Sequence, residues 1–244
     1  MREWLLVAVL GCGRVGFAER PIDATLTPDA AGDAGVPQKL YATTSNQLYT
    51  IAPDQHYVAT KVMDTCTNVP GAALGDLAID GNANFVSADQ NTSVLYILRL
   101  DGTCTTIALS MSVHLLGLTS HGGVLYGAAD DQNLYQVSTS GALTLVGSMG
   151  APISGDIVFL DSGTLIGTFR TTGSDVLSRI DPATGAATAI GTIVLPKVFG
   201  LAELGGAVFG FTDNGTIAML DPATGGASNF GGQALQFTGA AVGP

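Results

Sequence analysis

Charge is scarce in this chain. Only 12% of its 244 residues are Asp, Glu, Lys or Arg, about half the usual share, while 46% are hydrophobic, which excludes a self-repelling disordered polymer. Basic side chains are scarcest of all. Lys and Arg number 9 against 20 Asp and Glu, a net charge of −11, so neither a nucleic-acid footprint nor a basic membrane-surface patch is expected. With 3 His there is little material for a histidine-rich metal centre, and no metal or cofactor is assigned. Gly-x-Ser-x-Gly, His-Glu-x-x-His and a phosphate-cradling glycine loop are all absent, which removes the common hydrolase, zinc-protease and nucleotide signatures. After Leu10 no apolar run approaches the ~18 residues of a membrane span. Glycine, by contrast, is plentiful. Its 33 residues are about twice the usual share and are spread along the chain, which predicts frequent turns and a β-rich domain.

The N-terminus reads as an address. Arg2 is followed by the apolar run Trp4 to Leu10, then Gly11 and Cys12, the pattern of a short export signal. Val9-Leu10-Gly11-Cys12 resembles the bacterial lipobox, which implies cleavage before Cys12, lipidation of its thiol and attachment to a membrane through that lipid alone. A plainly cleaved secretion signal and a buried N-terminal segment are the alternatives. Residues 12 to 37 are rich in small, acidic and Pro residues with little to bury, and they read as a flexible tether. Such spacers resemble those of Gram-negative surface lipoproteins, and Gly13 after the cysteine implies outer-membrane sorting. With Cys12 lipidated, Cys66 and Cys104 remain as a candidate disulfide in an oxidising compartment. Two unpaired core thiols are the other reading.

From residue 38 onward the chain repeats. Leu77, Leu118, Ile157, Leu201 and Ala240 occupy equivalent places in apolar segments, at spacings of 41, 39, 44 and 39 residues. Each unit adds a second strand such as Val124-Leu125-Tyr126-Gly127, a third such as Asn133 to Val137, and a fourth such as Leu143 to Gly147. Four short strands per ~40 residues define a propeller blade. The N-terminal unit, Lys39 to Ala42 and Gln47 to Ile51, begins at a second strand, and Phe237 to Val242 is a first strand without partners. Together they complete one shared blade. The expected fold is therefore an all-β, five-bladed β-propeller of four-stranded antiparallel blades over residues 38–244, with no open sheet edge in the ring.

Asp181-Pro182-Ala183-Thr184-Gly185 recurs as Asp221-Pro222-Ala223-Thr224-Gly225. Asp accepts from nearby amides, Pro sets φ and Gly supplies a left-handed exit, so the motif is a turn rather than a calcium loop, which needs more carboxylates. These units resemble the repeats of secreted bacterial β-propellers, broadly the quinoprotein-like, strictosidine-synthase-like and lactonase-like groups. The resemblance implies a blade and not a chemistry.

Comparing one offset across the five units nominates a channel mouth. Asp76 and Asp156 stand at the aligned position, with His114, Lys197 and Gln236 three residues before it. Apolar residues such as Leu116 and Phe199 surround them, the make-up of a small-ligand site. The same residues also have a structural reading, the aspartates organising turns and His114 and Lys197 lying in solvent. Tyr41, Tyr49, Tyr96, Tyr126 and Tyr135 read as blade packing. No catalytic residue is assigned. The favoured function is an envelope-anchored, noncatalytic and monomeric binding or scaffold module for a small molecule, glycan or protein. The alternative is a lactonase-like or glycosidase-like hydrolase using the channel-mouth carboxylates.

Overall fold

The computed structural model describes residues 38–195 and 197–244. The expected signal segment, Cys12 and the tether to residue 37 lie outside them.

Among the described residues twenty strands form five four-stranded sheets. The first blade holds β1 (Lys39–Thr43), β2 (Gln47–Ala52) and β3 (Val58–Asp64). The second blade is β4 (Leu74–Ile79), β5 (Phe85–Asp89), β6 (Val94–Leu98) and β7 (Cys104–Ala108). The third is β8 (Leu115–His121), β9 (Val124–Ala129), β10 (Asn133–Val137) and β11 (Leu143–Ser148). The fourth is β12 (Ile153–Phe159), β13 (Leu165–Phe169), β14 (Val176–Ile180) and β15 (Ala187–Thr192). The fifth is β16 (Val198–Leu204), β17 (Ala207–Thr212), β18 (Thr216–Leu220) and β19 (Ala227–Gly232). Finally β20 (Gly239–Gly243) returns to pair with β1, Leu40 opposite Val242 and Ala42 opposite Ala240. The ring is closed by pairing the first and last of the described strands, as the missing first strand of the N-terminal unit requires.

Period-2 alternation explains why these strands are apolar on both sides. In β1, Leu40 packs with Phe209, Phe211 and Phe237 of one neighbouring interface, while Tyr41 packs with Leu77, Tyr96 and Leu98 of the other. The described core accordingly divides into clusters between successive blades rather than one central mass. The innermost strand β4 is almost wholly buried, whereas the outermost β11 and β15 are largely exposed. Tyr41, Tyr49, Tyr96 and Tyr135 are buried as blade-packing residues, but Tyr126 is only half-buried and stands edge-on to Phe159 at 5.2 Å.

The two Asp-Pro-Ala-Thr-Gly turns are nearly identical. Asp181 accepts from Ala183 N at 2.9 Å and from Thr184 Oγ1 at 2.8 Å, and Gly185 N donates to its carbonyl at 2.8 Å. Asp221 repeats the pattern with Ala223, Thr224 and Gly225. Gly185 and Gly225 have φ of +79° and +77°, where a side chain is disfavoured. The carboxylates are spent within the turns.

Cys66 and Cys104 form a disulfide, with Cα atoms 4.7 Å apart across 38 residues of sequence. It ties the β3–β4 connection to the outer strand of the second blade. Asn68 reinforces the junction by pairing its side-chain amide with both backbone groups of Cys104, at 3.0 and 2.8 Å. This segment thus covers part of an outer edge that would otherwise carry unpaired amides. A loop of this length predicts that the double replacement Cys66→Ser and Cys104→Ser lowers unfolding stability by about 2–4 kcal/mol. Chemical denaturation of oxidised, reduced and substituted protein measures it, and identical midpoints would contradict the prediction.

Candidate functional site

The inner strands β20, β4, β8, β12 and β16 surround the channel. At one level they carry Asp76, Gly117, Asp156, Gly200 and Gly239. The ring is tight here: a Cβ on Gly239 would sit 2.5 Å from the Asp76 Cα, and one on Gly200 would sit 2.9 Å from the Gly239 carbonyl carbon. Only glycine fits at these places. The strand ladders also shift register at this level, between Leu74 and Leu77, Leu115 and Gly117, Ile153 and Ile157, and Val198 and Gly200.

The amides at this waist find two carboxyl groups instead of ladder partners. Asp76 accepts from Leu77 N at 2.8 Å and from Leu118 N, with the Ala240 amide beside it. Asp156 accepts from Ile157 N and Leu201 N. One amide from each of four blades is thereby satisfied. The two carboxyls lie against each other, and they are 1% and 0% exposed. Burial pushes Asp76 up to about 7 against the opposing effect of its hydrogen bonds. Burial and the Asp76 charge raise Asp156 well above the carboxylate range. Two adjacent buried negative charges are prohibitively costly, so the pair retains a proton at neutral pH.

The expected convergence of five side chains at one mouth is not found. Asp76 and Asp156 come together in the waist, but the other three do not join them. His114 Nδ1 lies 3.3 Å from Asp130 Oδ2, Lys197 Nζ lies 2.8 Å from Asp213 Oδ2, and Gln236 is exposed ahead of β20. The cause is a feature of the repeat. In the second to fifth blades the residue following the second strand donates its N–H to the carbonyl of the residue preceding the inner strand: Gln90 to Ala73, Asp130 to His114, Arg170 to Pro152 and Asp213 to Lys197. These backbone bonds place Asp130 beside His114 and Asp213 beside Lys197, which draws both side chains sideways. In the fourth blade Ile153 lies one residue further from the aligned aspartate than Leu115 does from Gly117, so Pro152 occupies the equivalent place.

A cavity of about 250 Å³ occupies this mouth, with Asp76, Gln90, Ser154, Arg170 and Thr238 beside the apolar Leu115, Leu116 and Phe199. Arg170 and Ser154 were not singled out by sequence. The available signal was a cation in the fourth blade at the place held by Asp130 and Asp213, visible only once the extra residue in β12 is recognised.

The opposite mouth, at the strand ends, holds a cavity of about 350 Å³ whose walls include Ser120, His121, Phe159, Asp161 and Glu203. His121 stacks on Phe159 with ring centres 4.4 Å apart. Glu203 accepts a hydrogen bond from Asp161 N. Its partial burial, followed by the Asp161 charge, raises its carboxyl. Among the described residues no group of three His, Cys, Asp or Glu side chains is arranged to hold a metal ion.

Ring, waist and mouths define a five-bladed β-propeller. Its fold resembles a chain of a nidogen/laminin complex, at 12% identity and a TM-score of 0.57, covering 84% of this chain and 98% of that one. It also resembles a gluconolactonase-like protein, at 15% identity and 0.52, covering 80% and 73%. Myxococcus xanthus glutaminyl cyclase aligns at 17% identity and 0.52, covering 69% of each chain. No family model and no curated protein matches the sequence. At these identities the likenesses concern the fold alone.

The waist predicts an unusual pH dependence. These carboxyls titrate near 3.8 when unperturbed, so between that value and about 7 the native protein binds protons that the unfolded chain has released. Stability is therefore highest on the acid side of this window and falls as pH rises through it. Asp156→Asn, which retains an uncharged acceptor, should make the decline shallower. Urea unfolding at pH 5, 6, 7 and 8 tests both statements, and a wild-type stability rising with pH across the series would refute them.

Proposed function

We propose that the protein is an envelope-anchored, noncatalytic propeller that binds its ligand at a channel mouth and acts as a monomer. The observation that carries this reading is the fate of Asp76 and Asp156. A glycosidase-type mechanism needs two carboxyls that reach substrate, whereas these two are buried and engaged by backbone amides. They hold the ring together. The hydrolase alternative would have to use Asp161 and Glu203 at the wider mouth, where the raised Glu203 carboxyl is the one feature in its favour. The shared fold does not choose between these readings, because propellers host unrelated functions.

The disulfide supports export to an oxidising compartment,. It accords with a lipidated Cys12, a tether over residues 12–37 and an outer-membrane location in a Gram-negative envelope. Mass spectrometry of the native N-terminal peptide should find Cys12 as the mature first residue carrying a thioether-linked diacylglycerol. Cys12→Ser should move the protein from the membrane fraction to the soluble one. An unmodified, uncleaved Met1 would overturn the anchor.

A further inference from the structure

We infer that the mouth where the inner strands begin is a site for a small organic carboxylate with an apolar body, held by the Arg170 guanidinium. This rests on the reading of the propeller as a ligand-binding module and gives that module a ligand class.

The repeat itself isolates Arg170. At the equivalent backbone position, Asp130 faces His114 and Asp213 faces Lys197, each with a polar partner in the same blade. Gln90 turns its amide to the Leu74 carbonyl. Arg170 stands against Pro152, which offers no charge; among the described residues its guanidinium makes no hydrogen bond or close ion pair, and the charge it faces is the Asp175 carboxylate, whose charged form it stabilises from a distance. It lines the cavity instead.

A second observation lies in the same wall. Ser154 is 6% exposed, and its hydroxyl approaches the Asp175 carboxylate without completing a hydrogen bond of proper geometry among the described residues. A buried hydroxyl without a partner is unusual, and this one borders the cavity that Arg170 lines. The guanidinium offers a planar fork matched to a carboxylate, and the hydroxyl is a further donor. Leu115, Leu116 and Phe199 supply the apolar surface that an organic body would cover.

The surrounding charges define the ligand further. Asp175 is the nearby carboxylate, buried and engaged by Val198 N at 3.2 Å, and Lys197 is already neutralised by Asp213. Asp76, in the cavity wall, belongs to a pair that retains a proton at neutral pH, which weakens its repulsion of an anion. The chain as a whole carries −11, so it does not attract anions from a distance. A bare inorganic anion has only Arg170 and Ser154 to engage. An organic acid adds apolar burial.

The test uses the full chain with phenylacetate, hexanoate and N-acetylphenylalanine as probes, and 2-phenylethanol as the uncharged counterpart of phenylacetate. Saturation-transfer NMR and calorimetry should show at least one acid binding, with 2-phenylethanol at least about tenfold weaker than phenylacetate. Arg170→Ala should weaken the acids by about tenfold or more, Arg170→Lys should restore part of the loss, and Ser154→Ala should weaken them severalfold. His121→Ala, at the other mouth, should change nothing. Thermal melts confirm that each variant is folded. Equal binding of acid and alcohol would overturn the carboxylate assignment while leaving a ligand-binding mouth in place. Unchanged acid binding by folded Arg170→Ala, or no binding by any of the three acids, would overturn the site.

Discussion

Closing a propeller at five blades creates a problem at its centre: inner-strand amides leave their ladders and face a channel too narrow for most side chains. Everything else in the ring depends on satisfying them, because a buried N–H without an acceptor costs about 1–3 kcal/mol. Asp76 and Asp156 do so from two nonadjacent blades, while Gly117, Gly200 and Gly239 leave the room those two carboxyls occupy. Full occupation by aspartate would crowd five carboxyls into one small volume, and full occupation by glycine would leave the amides without protein acceptors. The observed pair lies between these extremes, and its retained proton limits the buried charge.

The waist also divides the channel into two mouths of different chemistry. Where the strands begin, Arg170 and an unpartnered serine hydroxyl lie beside leucine and phenylalanine. Where they end, carboxylates accompany an imidazole stacked on a phenyl ring. The pairs His114–Asp130 and Lys197–Asp213 belong to the blades and maintain their local geometry. Exposed pairs of this kind contribute at most about 1 kcal/mol each. Their main consequence is positional, since they hold His114 and Lys197 away from the channel mouth and leave Arg170 without such a close partner.

The disulfide and the turns act at the opposite end of each blade from the waist. Outer strands are where blade sheets are most exposed and where pairing would otherwise end in open edges,. The Cys66–Cys104 link and the Asn68 amide secure one such edge covalently and by hydrogen bonds, while the Asp-Pro-Ala-Thr-Gly motifs fix the hairpins leading into two others. None of these features reaches the channel. Stability at the rim and chemistry at the centre are thus assigned to different residues.

The repeat of Leu77, Leu118, Ile157, Leu201 and Ala240 determined the blade number, and the unmatched strands at residues 39 and 237 determined how the ring closes. Such periodicities are local and additive, so they survive in a linear reading. Sequence also nominated Asp76 and Asp156, because they share one place in the repeat. It could not reveal that they meet across the channel and accept the backbone amides of four blades, since that follows from closing the ring. Nor could it separate Arg170 from His114 and Lys197. That distinction depends on one extra residue in β12, which puts Pro152 where the third and fifth blades carry His114 and Lys197, and only the three-dimensional register decides which side chain faces which.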